Sequence, residues 1–108
     1  MNDILIELYS TIITRKNEPQ EGSYTAYLFE KGIDKILKKV GEECAEVIIS
    51  AKNAKNEDTV LEISDLIYHL FVLMAEQGIS PDDIDAELSK RAEKTGNLKQ
   101  MKVTDKNT

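Results

Sequence analysis

The sequence predicts an all-α fold, a helical bundle of four main helices completed by homodimerisation. Three observations carry this. Apolar residues recur at three- and four-residue spacing along most of the chain, strand-like alternation is missing, and breakers or capping residues stand where each periodic run ends.

Ile4, Leu5, Leu8, Ile12 and Ile13 trace one stripe of a first helix from Asn2 to about Lys16, with Glu7 and Arg15 off that stripe. The segment from Asn17 to Gly22 contains both Pro19 and Gly22 and reads as a loop, after which Ser23 is placed to cap a short helix that Gly32 stops. Ile33, Ile36, Leu37, Val40, Val47 and Ile48 then mark a long helix reaching about Lys52. Gly41 lies inside it at a cost of about 1 kcal/mol relative to Ala. It fits either tolerance and close packing of a neighbouring helix or backbone room beside a ligand.

Asn53 to Asp58 is a polar turn, and the next helix runs from about Glu57 to Gln77, with Gly78 as terminator. Its second half, Leu66 to Ala75, is apolar almost all round, so burial on every side is expected, across a subunit interface. Ten residues are too few to cross a bilayer. Ser80, Pro81, Asp82 and Asp83 start a last main helix: a capping hydroxyl, Pro at the first helical position and two acids in the positive first turn. It should run to about Lys94, stopped by Thr95 and Gly96. A single domain over 1–94 and a polar tail over 95–108 follow.

With 108 residues the chain fits one compact domain, and four Tyr, two Phe and no Trp leave modest core bulk. Association with a second copy would bury more. The net charge of -6 argues against nucleic-acid and membrane partners, which reward basic surfaces. The N-terminus lacks the positive region of a signal peptide, and the single cysteine, Cys44, allows no intrachain disulfide. A cytoplasmic protein is expected.

The chemistry concentrates in acids. On a helix Glu42 and Glu43 both lie beside Glu46 one turn later, and Glu62 lies beside Asp65, with Asp58 a turn before and His69 a turn after. Like charges so placed repel, so something must offset them. A solvated acidic face is the ordinary outcome in a chain with 20 Asp and Glu. The apolar runs Val47-Ile48-Ile49 and Leu66-Ile67 beside these acids favour instead a cleft and a divalent ion. An all-carboxylate shell selects Mg²⁺, with Mn²⁺ as a substitute, over zinc. Such an ion completes its shell with water and phosphate oxygens, which points to phosphate chemistry. A carboxylate not fully engaged with metal, Glu42 or Glu43, is the candidate general base.

Glu43-x-x-Glu46, a 15-residue gap and Glu62-x-x-Asp65 resemble the signature of the all-α nucleoside triphosphate pyrophosphohydrolases, the MazG-like superfamily. The flanking segments Ser23 to Phe29, Lys39 to Glu43 and Asp65 to Leu70 resemble the phosphoribosyl-ATP pyrophosphatase family, and the likeness extends to about Arg91. The resemblance implies Mg²⁺-dependent hydrolysis of phosphoribosyl-ATP to phosphoribosyl-AMP and pyrophosphate in histidine biosynthesis. It also implies a homodimer with Glu43, Glu46, Glu62 and Asp65 on the metal, in a stand-alone form without the cyclohydrolase domain fused to it in many organisms. Cys44 stands where the family often has Ala and reads as a small packed hydrophobe rather than a nucleophile.

A substrate with several phosphates calls for cations. Lys39, which shares a face with Glu42 and Glu43, is the first candidate, followed by Arg91, Arg15 and Lys38. His69 is either a satisfied core residue behind Asp65 or a ligand contact. Ser23 and Tyr24 open a short helix whose amides suit a phosphate, although capping explains Ser23 equally well. Two rivals remain: a housekeeping nucleoside triphosphate pyrophosphohydrolase with the same acids, and a noncatalytic helical dimer.

Overall fold

The computed structural model describes residues 3–93, 99, 101, 102, 104 and 105. Among them lie five α-helices and no strand: α1 (Asp3–Asn17), α2 (Tyr24–Lys31), α3 (Ile33–Lys52), α4 (Asn56–Gln77) and α5 (Pro81–Ala92). The all-α expectation holds, with the short helix after Ser23 as a distinct fifth element. The stop expected at Thr95 and Gly96 and most of the tail lie outside the described residues.

Each boundary has a local cause. The Ser23 hydroxyl accepts from the Ala26 amide at 3.1 Å and so caps α2. Gly32, at φ 91°, takes a backbone conformation that a Cβ would strain, and its amide closes on the Leu28 carbonyl. Gly78 ends α4 in the left-handed conformation, with its amide turned back to Ala75 and Met74.

The chain groups into two compact units, one up to Ile79 and one from Ser80 onward. In the first, Ile12, Leu28, Ile36, Phe71, Val72 and Ala75 form the buried core, one or more from each of α1 to α4. Two long-range polar contacts tie α1 to the end of α4. The Tyr9 hydroxyl donates to the Ile79 carbonyl at 2.7 Å, and the Lys16 ammonium to the Ala75 carbonyl at 2.9 Å. In the second unit, Ser80 and Asp83 form a reciprocal capping box with Pro81 opening α5. No helix is long and apolar enough to cross a membrane, among the described residues.

The all-round burial expected for Leu66 to Ala75 does not hold within one chain. His69, Phe71, Val72 and Ala75 are buried, whereas Leu70 is exposed and Leu66, Ile67, Leu73 and Met74 are half-covered. The other three helices of this unit cover only the stripe they meet. On the α3–α4 hairpin Ile48, Ile49, Val60, Leu61 and Ile63 are also exposed. Cys44, expected to pack, is exposed too. A Cβ on Gly41 would meet nothing within 4 Å, so close packing inside the chain does not explain that glycine.

Candidate metal and active site

The site is set by symmetry about a turn. α3 and α4 are joined through Asn53–Lys55, and Ala54 supplies the sharp reversal at φ 57°. Glu46 and Glu62 each lie eight residues from Ala54, and Glu43 and Asp65 each lie eleven away. In an antiparallel hairpin equal counts mean equal rise, about 12 Å and about 16 Å from the turn, so the four acids meet as two facing pairs.

One carboxylate oxygen from each of Glu43, Glu62 and Asp65 lies within 4.8 Å of the others, with Glu43 buried, Glu62 half-buried and Asp65 exposed. Glu46, itself exposed, adjoins them through a hydrogen bond with Glu62, which is the main reason the Glu62 carboxyl is pushed up to about 7. Burial and the charges of Glu46, Asp65 and Glu43 add to that rise. Glu43, 6% exposed, is also raised, first by burial and then by Glu46. Glu43 Oε2 and Glu62 Oε2 are buried without a hydrogen-bond partner. Orphaned acceptors on adjoining acids fit a hard cation, because a cation satisfies both and removes their repulsion.

The proton linkage gives a measurable sign. Glu43 and Glu62 hold protons more tightly in the folded, metal-free protein than at the unfolded value of 4.5, so between about pH 4.5 and 7 the folded state carries the excess and loses stability as pH rises. Metal-free protein is therefore expected to melt at a lower temperature at about pH 8 than at about pH 5. Mg²⁺ should raise the melting temperature more at the higher pH, where it meets ionised ligands. Calorimetry across pH with and without Mg²⁺ checks this, and a metal effect independent of pH would count against the cage.

Glu42 stands apart from the cage. It is exposed, and its Oε2 takes a hydrogen bond from the Lys39 ammonium at 3.0 Å, which holds Glu42 below its ordinary value. Lys39 also lies 3.9 Å from Glu43 Oε1, so it bridges the rim acid and the buried one as their shared face predicts. The same hydrogen bond to Glu42 raises Lys39. Lys38 is exposed near Glu42 and helps keep it ionised. Arg15 lines a small polar recess with Gln20 to Ser23. Arg91 belongs to the second unit, where its Nε lies 3.8 Å from Glu87.

His69 is buried and bonded at both ring nitrogens. Nδ1 donates to the Asp65 carbonyl at 2.8 Å, which in the neutral ring leaves Nε2 to accept from the Tyr24 hydroxyl at 3.0 Å. It thus braces the backbone of Asp65. Tyr24 was expected only as a helix-end residue. Its ring stacks on Tyr27 and Tyr68, each with centroids 6.2 Å away, and Tyr68 hydrogen-bonds Thr25. Burial raises the Tyr24 hydroxyl while Lys39 opposes the rise, which places the phenol beside the cage's rim. Tyr24 and Tyr27 also line a groove of about 1010 Å³ bordered by Lys16, Phe29 and Glu76. The aromatic row carries no spacing signal linking it to the acids; only packing brings α2 beside α4.

Fold and site together define an all-α hairpin protein with a cage of carboxylates suited to a hard divalent ion. A model of the phosphoribosyl-ATP pyrophosphohydrolase family matches residues 5–92. The chain is 60% identical over 99 residues to a phosphoribosyl-ATP pyrophosphatase of Clostridium acetobutylicum, covering 92% of this chain and 90% of that one. It is 56% identical over 97 residues to the one of Clostridium novyi, covering 90% and 88%. It is also 66% identical over 84 residues to a histidine biosynthesis bifunctional protein of Thermoanaerobacter pseudethanolicus, covering 78% of this chain and 39% of that longer one. The chain belongs to the phosphoribosyl-ATP pyrophosphohydrolase family.

Proposed function

We propose that this chain hydrolyses the α–β phosphoanhydride of phosphoribosyl-ATP to phosphoribosyl-AMP and pyrophosphate, the second step of histidine biosynthesis, with Mg²⁺ or Mn²⁺ held by Glu43, Glu46, Glu62 and Asp65. The observation that carries the metal assignment is the pair of buried, partnerless oxygens on Glu43 and Glu62. Family membership and the identity to its relatives support the substrate.

When bound, the ion neutralises charge on the phosphate oxygens and activates water for attack on phosphorus. Glu42, outside the cage and ionised at neutral pH, is the carboxylate left to take the water's proton. Lys39 limits its basicity and, with Lys38, offers positive charge to the triphosphate. His69, held by Tyr24, fixes the Asp65 backbone so that its carboxylate stays aimed at the cage. The exposed apolar surface of Ile48, Ile49, Val60, Leu61 and Ile63 supports a homodimer, since five large aliphatics on one hairpin are more than a monomer ordinarily leaves in water. The working compartment is the cytoplasm.

Purified protein with Mg²⁺ is expected to release pyrophosphate from phosphoribosyl-ATP with a kcat/KM about 100-fold or more above that for ordinary nucleoside triphosphates. Equal or faster turnover of the ordinary triphosphates would establish the housekeeping activity instead.

A further inference from the structure

The chain is acidic, yet Lys31, Lys35, Lys38 and Lys39 fall within nine residues that contain one acid, Asp34. Lys38 and Lys39 sit beside Glu42, and Lys35 also acts on that carboxylate. Lys31 and Lys35 do something different. Their ammonium groups lie 5.8 and 5.9 Å from the centre of the same ring, that of Tyr27. Among the described residues neither is in an ion pair. Two ammonium groups thus border one ring, whose quadrupole offsets only part of their positive charge.

The ring beneath them is the outer end of the aromatic row. Tyr27 stacks on Tyr24 with an interplanar angle of 26°, and Tyr24 reaches His69 and the cage rim. Lys35 and Glu43 are eight residues apart on α3, about 12 Å along its axis. A track thus runs from the carboxylates, past Lys39, along the Tyr24 and Tyr27 rings, to two cations that are in no ion pair among the described residues. Its order, cation cage then aromatic faces then positive charge, matches a ligand with phosphates at one end, a base in the middle and an anion at the far end.

We propose that Lys31 and Lys35, gathered over Tyr27, form a second anion subsite that takes the phosphate on the ribose attached to the substrate's base, with the base lying along the Tyr24–Tyr27 stack. This rests on the function proposed above and adds to it the means of discrimination. An ordinary nucleoside triphosphate has nothing to place between these lysines, so the subsite separates phosphoribosyl-ATP from ATP. A charge-assisted contact of this kind is worth about 10- to 100-fold in affinity.

The test compares competitive inhibition by phosphoribosyl-AMP, which carries the second phosphate, with inhibition by AMP, which lacks it. The wild type should bind phosphoribosyl-AMP more tightly by at least about 10-fold. The double variant Lys31→Ala/Lys35→Ala should lose that preference while binding AMP as before. Lys31→Arg/Lys35→Arg should restore it, and Lys52→Ala, at the far end of α3, should leave it intact. A double variant with undiminished preference overturns the subsite even if the wild type turns over phosphoribosyl-ATP normally. A wild type that fails to turn over phosphoribosyl-ATP overturns the function itself. The lysines are exposed or half-exposed, and unchanged helical circular dichroism separates lost recognition from lost fold.

Discussion

Glu43→Gln is expected to lower kcat about 1000-fold, the scale of losing one preorganised electrostatic contact at a reaction centre, while the protein stays folded. The shape of the side chain is kept and its charge is gone. Glu43 is the most buried of the cage acids, and its Oε2 has no partner within the protein, so no neighbour can take over its place on a cation. The same change relieves the repulsion from Glu46 and Asp65 that raises the Glu43 carboxyl. Metal-free Glu43→Gln should therefore melt above the metal-free wild type at about pH 8 and gain little on adding Mg²⁺. Calorimetry and pyrophosphate release measured on one preparation test both halves. Retained turnover would mean that the acids only solvate a helix face.

Leu61→Asp is expected to abolish the homodimer proposed above, leaving monomer at micromolar concentration where the wild type should associate. Leu61 is 63% exposed in the single chain, so a carboxylate there meets water in the monomer at little cost. In a dimer that covers this face the same carboxylate would be desolvated without a partner, a cost of several kcal/mol and about a thousandfold or more in dissociation constant. The core of Ile12, Leu28, Ile36, Phe71, Val72 and Ala75 is not touched, so helical content should persist. Sedimentation of wild type and variant decides this. A monomeric wild type would remove the reading of the apolar face as an interface. Because Glu46 and Glu62 share their helix segments with Ile48, Ile49 and Leu61, loss of activity should accompany loss of the dimer.

The helices were legible because their signals are local. Ser23, Gly32, Gly78 and the Ser80–Asp83 box each act within four residues, and the observed helix ends follow them closely. That acids of two helices face one another was legible too, since three- and four-residue spacing places them on one side of each helix, and the structure brings Glu43, Glu62 and Asp65 within 4.8 Å. The split between Glu42 and Glu43 was not. Both share a face with Glu46 by spacing, yet one is buried in the cage and the other is exposed at the rim beside Lys39. A difference of one position rotates a side chain by about 100° around the helix, and only the packing of α4 shows which side of that arc faces inward. Leu66 to Ala75 is covered on one stripe only within a single chain, because an apolar run tells what a helix prefers to bury and not what one chain supplies to bury it.

What the sequence by itself determined is therefore the helical class, the element boundaries and the paired carboxylates, all consequences of short-range geometry along one or two helices. The tertiary structure alone decided that α2 lays Tyr24 against His69 and that Lys35 of α3 reaches the Tyr27 ring of α2. These residues are brought together by the packing of three helices, and no fixed spacing in the chain records a contact between faces whose relative rotation is set by the core they share.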